Sequence, residues 1–179
     1  MVAKESLRFD IGDWIVHYYH GVGQVKDILV KGLEGNEKTF YKVTTKDIDY
    51  WIPIEDEDSD HIEPVRSIKD FEEALEMLAS KPEPIAKHHK SRKKKIHDRW
   101  MDGDLINRAK LLRDLNGRLK LKKLSFSEKE MLSKVQNYFI SEWLIVDSNL
   151  TQKKAKARIR KALKVGVKNA KKELKETEE

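Results

Sequence analysis

The sequence has 179 residues, with 37 Lys plus Arg against 31 Asp plus Glu, a formal charge of +6, 38% charged and 39% hydrophobic side chains, and no cysteine. That length suits one ordinary domain or two small ones, and the composition leaves room for modest cores only. A disulfide scaffold, a thiol nucleophile and thiolate metal sites are excluded; no run reaches the roughly 18 apolar residues of a membrane span, and residues 1–9 lack a signal peptide's apolar stretch, so a cytoplasmic location is expected.

The charge is unevenly distributed. Residues 1–80 hold 9 basic and 18 acidic residues, net −9, whereas residues 81–179 hold 28 and 13, net +15. All four prolines lie between Pro53 and Pro84. A change of charge sign at a proline-bearing joint predicts two modules, residues 1–64 and 65–179. The basic module can approach a polyanion that the acidic one would repel.

The first module reads as strands. Residues 7–18 carry Phe9, Ile11, Trp14, Ile15 and Val16, interrupted at Gly12-Asp13. After His20-Gly21-Val22-Gly23, further strands are expected at 24–31, 39–45 and 48–54, with Gly32, Gly35 and Asn36 in a loop and Pro53 marking an edge. Short strands with glycine-rich turns predict a small β-barrel of about five strands. Phe9, Trp14 and Phe40 are its expected interior. Tyr50 and Trp51 are neighbours on one strand and face opposite sides, so one of them points outward; Trp51 is the expected partner contact. The acidic stretch 55–60 is read as a solvated loop. Gly21-x-Gly23 lacks a nucleotide-binding context and reads as a tight turn.

The second module reads as a bundle of four to five helices, giving an α+β chain. Ser67 caps a first helix with Ile68, Phe71, Leu75 and Leu78 on one stripe. Pro84 is placed at the start of a second, basic helix with Lys87, His88, His89, Lys90, Arg92, Lys93, Lys94 and Lys95. Asp102-Gly103 breaks the chain, and a third helix with Leu105, Ala109, Leu112 and Leu115 is expected to end near Gly117. Ser125 and Glu128 form a capping-box pattern before Met131, Leu132, Val135, Phe139 and Trp143. A last basic helix, with Lys153, Lys154, Lys156, Arg158, Arg160, Lys161 and Lys164, opens near Asn149 or Thr151 and frays beyond Lys171.

No constellation for catalysis stands out. The six histidines lack ligand spacing and no pair of acids is singled out, so no enzyme activity, metal or cofactor is expected. The two basic helices fit a nucleic-acid backbone, with affinity from phosphates and little base specificity.

The chain resembles the CarD/CdnL family of bacterial transcription regulators. The matching stretches are FDIGDWIV at 9–16, YHGVG at 19–23, YKV at 41–43, WIP at 51–53, GDL at 103–105, RDL at 113–115 and LSFSEKEML at 124–132. The resemblance implies a Tudor-like N-terminal domain that docks on the RNA polymerase β subunit, with Lys31, Tyr50 and Trp51 at the contact. It implies a helical domain that meets promoter DNA near the upstream edge of the transcription bubble, by backbone and minor groove, and stabilises the open complex. The DNA-contacting set is then His88, His89, Lys90, Arg92, Lys93, Lys94, Lys95, Lys153, Lys154, Lys156, Arg158 and Arg160. Family members commonly have Arg where this chain has Trp51. Many place a wedge Trp near the position of His89, while Trp100 falls at an apolar helix position. A monomer associated with the nucleoid follows; a polymerase-independent architectural DNA-binding protein is the alternative.

Overall fold

The computed structural model describes residues 7–32, 37–56, 62–121 and 123–176; the expected loop residues Gly35 and Asn36 and most of the acidic stretch lie outside them. The chain divides into two compact units, residues 1–65 and 66–179. Divided there, the first unit carries 7 basic and 14 acidic residues and the second 30 and 17, so the change of charge sign follows a structural boundary.

The first unit is built from β1 (Trp14–His17), β2 (Gly21–Lys31), β3 (Lys38–Thr44), β4 (Asp49–Pro53) and β5 (Ile62–Pro64), with a 3-10 turn at Ile54–Asp56. They form one antiparallel sheet in the order β4-β3-β2-β1-β5. The expected closed barrel is not there. β4 pairs with β3 and β5 with β1, but no ladder joins β4 to β5 among the described residues. After Pro53 the chain leaves the sheet into the 3-10 turn, and β5 is three residues long, too short to close a barrel.

Inward alternation puts Ile15, Val25, Tyr41, Val43, Ile52 and Ile62 in the core. Residues 7–13 are not a strand: they lay Phe9 over this face, edge-on to Tyr41 at 5.8 Å. Phe9 is thus interior as expected, but Trp14 is 37% exposed and Phe40 half-buried, because their neighbours Ile15 and Tyr41 hold the inward positions. Gly21 turns at φ +83°, and a Cβ on Gly23 would lie 2.6 Å from Val43 Cγ1. Turn and packing account for both glycines.

The second unit contains α1 (Ile68–Ala79), α2 (His89–Met101), α3 (Leu105–Leu121), α4 (Phe126–Val146) and α5 (Gln152–Glu176). Ser67 and Asp70 close a capping box on α1, as do Ser125 and Glu128 on α4, each satisfying otherwise orphaned N–H groups. Phe71 lies parallel to Trp143 at 5.5 Å and edge-on to Phe139 at 5.1 Å, joining α1 to α4. Ile68, expected in the α1 stripe, is exposed. Residues 81–87 are not helical, so α2 starts at His89 and not at Pro84. Arg113 and Asp114 pin this connection: Arg113 Nη1 donates to Ser80 Oγ at 2.7 Å, and Asp114 accepts from the Glu83 amide at 2.8 Å and Arg99 at 2.7 Å. α3 runs through Gly117, where a Cβ would sit 2.3 Å from Pro82 Cβ; the glycine marks a close approach and not a helix end. The α5 backbone continues to Glu176, past the expected fraying point.

α2 buries only Ile96, Trp100 and Arg92. Trp100 packs edge-on to Tyr138 at 4.9 Å. Arg92 is 7% exposed; its Nε bonds Glu128 and its Nη1 donates to the Ala86 and Lys87 carbonyls at 3.1 and 2.9 Å. Arg118 Nε lies 3.5 Å from the same Glu128 oxygen. Burial alone would raise the Glu128 pKa, but the Arg92 hydrogen bond, the Ser125 amide and the charges of Arg92 and Arg118 hold it at about 2. Near the start of the unit, Glu142 accepts the Arg66 amide at 2.9 Å, and burial pushes its carboxyl above the usual range.

Glu128→Gln leaves the Arg92 guanidinium buried without its counter-charge, so urea unfolding at neutral pH is expected to show a loss of about 3–5 kcal/mol. With a folded pKa of about 2 against an ordinary 4.5, Glu128 stabilises the fold above pH 4.5, and that contribution is lost as pH falls toward 2. The gap between wild type and Glu128→Gln should therefore narrow in acid; a gap independent of pH contradicts the assignment. A Cβ on Gly166 would meet the Ser80 carbonyl oxygen at 2.3 Å. Although alanine favours helix by about 1 kcal/mol, Gly166→Ala should lower the thermal midpoint, because displacing packed backbone costs about 1–3 kcal/mol.

Candidate functional site

Two surfaces carry the sequence-predicted residues, one on each unit. On the sheet, Trp51 pairs with Lys42 across β3–β4 and points away from the core, 45% exposed. The ammonium of Lys31, at the end of β2, lies 3.8 Å from the Trp51 ring centroid. The two residues come together as a cation over an aromatic face. Leu29, Phe40 and Pro53 follow the same outward alternation and are half-buried, giving this face an apolar strip. Lys38 and Lys42 flank it, bonded to Glu55 at 2.9 Å and Asp49 at 3.6 Å.

Tyr50 does not join them. Strand alternation turns it to the inner face, where its ring meets His17 at 5.3 Å and His20 at 4.5 Å. His17 Nδ1 accepts the Tyr19 and His20 amides at 3.1 and 3.3 Å, fixing the β1–β2 turn. Tyr50 therefore supports the hairpin from behind the Trp51 surface.

On the helical unit, Lys87 and His88 are exposed just ahead of α2, and His89, Lys90, Lys93, Lys94 and Lys95 are exposed because the inward positions of α2 are taken by Arg92, Ile96 and Trp100. Arg92 is committed to Glu128 and belongs to the interior. His89 and Lys93 border a cavity of about 130 Å³ against Ser127 and Glu128 of α4.

Along α5, Lys153, Lys154, Lys156, Arg158 and Arg160 are exposed, while Ala155 and Ile159 face inward. Arg158 bonds Glu72 at 2.6 Å and covers Trp143 at 4.8 Å, so part of its charge is neutralised on the spot. Lys156 and Arg160 line a groove of about 510 Å³ with Lys164 and, from α3, Lys120 and Asn116. Thus the α2 and α5 cations border different depressions. Sequence periodicity marked both basic helices but not Lys120, since nothing local announces which α3 lysine α5 will approach.

Among the described residues, no group of three or more His, Cys, Asp or Glu side chains is arranged to hold a metal ion, and no helix is long and apolar enough to cross a membrane.

Comparison with known proteins accounts for both units. Residues 9–66 match the CarD-like/TRCF RID domain, and residues 73–160 match the C-terminal domain of CarD. A curated protein of Bacillus subtilis strain 168, named "Putative transcription factor YdeB", is 29% identical over 151 residues, covering 83% of this chain and 98% of that protein. With both diagnostic domains in order along one chain, the protein belongs to the CarD/CdnL family of bacterial, non-catalytic transcription regulators that interact with RNA polymerase.

Proposed function

We propose that the protein docks on the RNA polymerase β subunit through the outer sheet face around Lys31 and Trp51, binds promoter DNA near the upstream edge of the transcription bubble through its helical unit, and stabilises the open complex. The observation that carries this reading is the exposure of the α2 and α5 lysines on a unit with 30 basic and 17 acidic residues, joined to an acidic unit that bears an exposed aromatic. Phosphates attract the first surface. An exposed indole with a cation on its face suits a protein contact, since aromatics dominate interface hot spots.

Lys90, Lys93, Lys94, Lys95, Lys153, Lys154, Lys156 and Arg160 are the DNA contacts in this reading, with His88 and His89 at the leading turn of α2 and Arg158 contributing less. Arg92 is left out because its guanidinium is already spent on Glu128 and two carbonyls. The Trp51 and Lys31 pair would carry the polymerase contact, with Tyr50 behind it. Binding that is tighter to opened than to closed promoter shifts the population toward the open state. Such a protein acts as a nucleoid-associated cytoplasmic monomer without a cofactor.

The test uses full-length protein, one purified polymerase and one promoter. Wild type should lengthen the open-complex lifetime. Trp51→Ala should abolish that effect while leaving affinity for duplex DNA unchanged. Replacing Lys93, Lys94 and Lys95 by Ala should reduce the slope of log affinity against log salt by about 2–3, roughly 0.9 per phosphate contact. Unchanged lifetime with wild type sinks the regulatory mechanism, and duplex bending that persists without polymerase supports the architectural alternative.

A further inference from the structure

We infer that the N-terminal end of α4 is a binding site for an unpaired nucleobase, with Phe126 as its stacking platform. This deepens the DNA-binding reading of the helical unit and rests on it. Phe126 occupies the first position of α4 and is 77% exposed, well above Trp51 at 45%. It borders an open cleft of about 500 Å³ whose other walls include Arg118, Lys123 and Lys129. Lys123 and Lys129 are exposed, and Arg118 is partly so. Glu128 also lines the cleft, but its charge is balanced by Arg92 and Arg118. Glu130 is the exposed acid next along the helix and does not border the cleft.

A large ring held in water among ammonium groups gains nothing from folding. Its free energy improves when it meets an apolar face that carries negative charge beside it. A single-stranded nucleotide has both, a base with a π-face and a phosphate, and grooves that bind single strands combine cations with exposed aromatic rings. A base inside a duplex has both faces covered by its neighbours, so Phe126 selects a base that has left the stack. The platform is rigid: the Ser125–Glu128 capping box fixes the first turn, and the Arg92–Glu128 pair ties it to α2. Glu128 also borders the smaller cavity lined by His89 and Lys93 of α2.

The experiment measures binding of full-length protein to a short oligothymidine and to a duplex of mixed sequence, by fluorescence anisotropy. Wild type should bind both. Phe126→Ala should weaken oligothymidine binding about tenfold, the loss of one stacked base, and leave duplex binding and its salt slope unchanged. Phe126→Trp should retain or improve it, and Lys123→Ala with Lys129→Ala should weaken it in a salt-dependent way. Because Phe126 is exposed, unfolding temperatures should not move.

Equal affinities of Phe126→Ala and wild type for the single strand overturn the inference, as does an equal loss on both DNAs. Wild type that binds duplex but not oligothymidine overturns it too and leaves the DNA-binding reading standing; wild type that binds neither sinks both. Loss of polymerase binding by Phe126→Ala with both DNA affinities intact would make Phe126 a protein contact instead.

Discussion

The buried ion pair between Arg92 and Glu128 is what allows so basic a helix to belong to a folded unit. α2 carries five lysines and arginines between His89 and Lys95 and has two buried apolar residues, both toward its C-terminal end. Hydrophobic burial therefore anchors Ile96 and Trp100 but cannot hold the first turns. A carboxylate supplied by the first turn of α4 does so, and the same carboxylate completes the cap of its own helix. One acidic group thus joins two helix starts. The lysines around it can remain in water because their helix needs none of them for packing.

The first unit solves a different problem. Its sheet buries one face, and the chain segment ahead of β1 covers that face with Phe9. The opposite face is left to water, and alternation decides what appears there. Trp51 is outward because Ile52 is inward, and Lys31 reaches its ring from the end of the longest strand. The two-residue period of the strand thus turns Trp51 to the opposite face from its neighbour Tyr50, which packs with His17 and His20 behind the sheet.

Much of this was legible in the sequence, because it depends on local signals. The two capping boxes, the break at Asp102 and Gly103 and the order of elements each follow from a few adjacent residues. Sheet closure was not legible, since it depends on whether the last strand meets the fourth, and Pro53 signals only that β4 lies at an edge. Trp14 and Phe40 were placed inside on size alone, while pleat parity puts Ile15 and Tyr41 there. Gly117 looks like a helix stop until Pro82 is seen against it. On the basic surface of α2, Arg92 is indistinguishable in sequence from the lysines beside it; only the approach of Glu128, 36 residues away, separates a structural cation from the exposed ones. Phe126 was not singled out in the sequence, since its exposure depends on which distant segments leave the first turn of α4 uncovered.

The open sheet has a consequence for how the protein behaves in a crowded solution. A closed barrel has no free backbone, whereas this sheet ends in two strands, β4 and β5, each with one side unclaimed by another strand among the described residues. Both of those strands finish in proline, Pro53 and Pro64. Proline offers no N–H to an incoming chain, and short strands give such a chain little to hold. The margins that closure would have sealed are instead poor templates for a further strand, so the domain can keep an open sheet without recruiting its own copies into a growing β-ribbon.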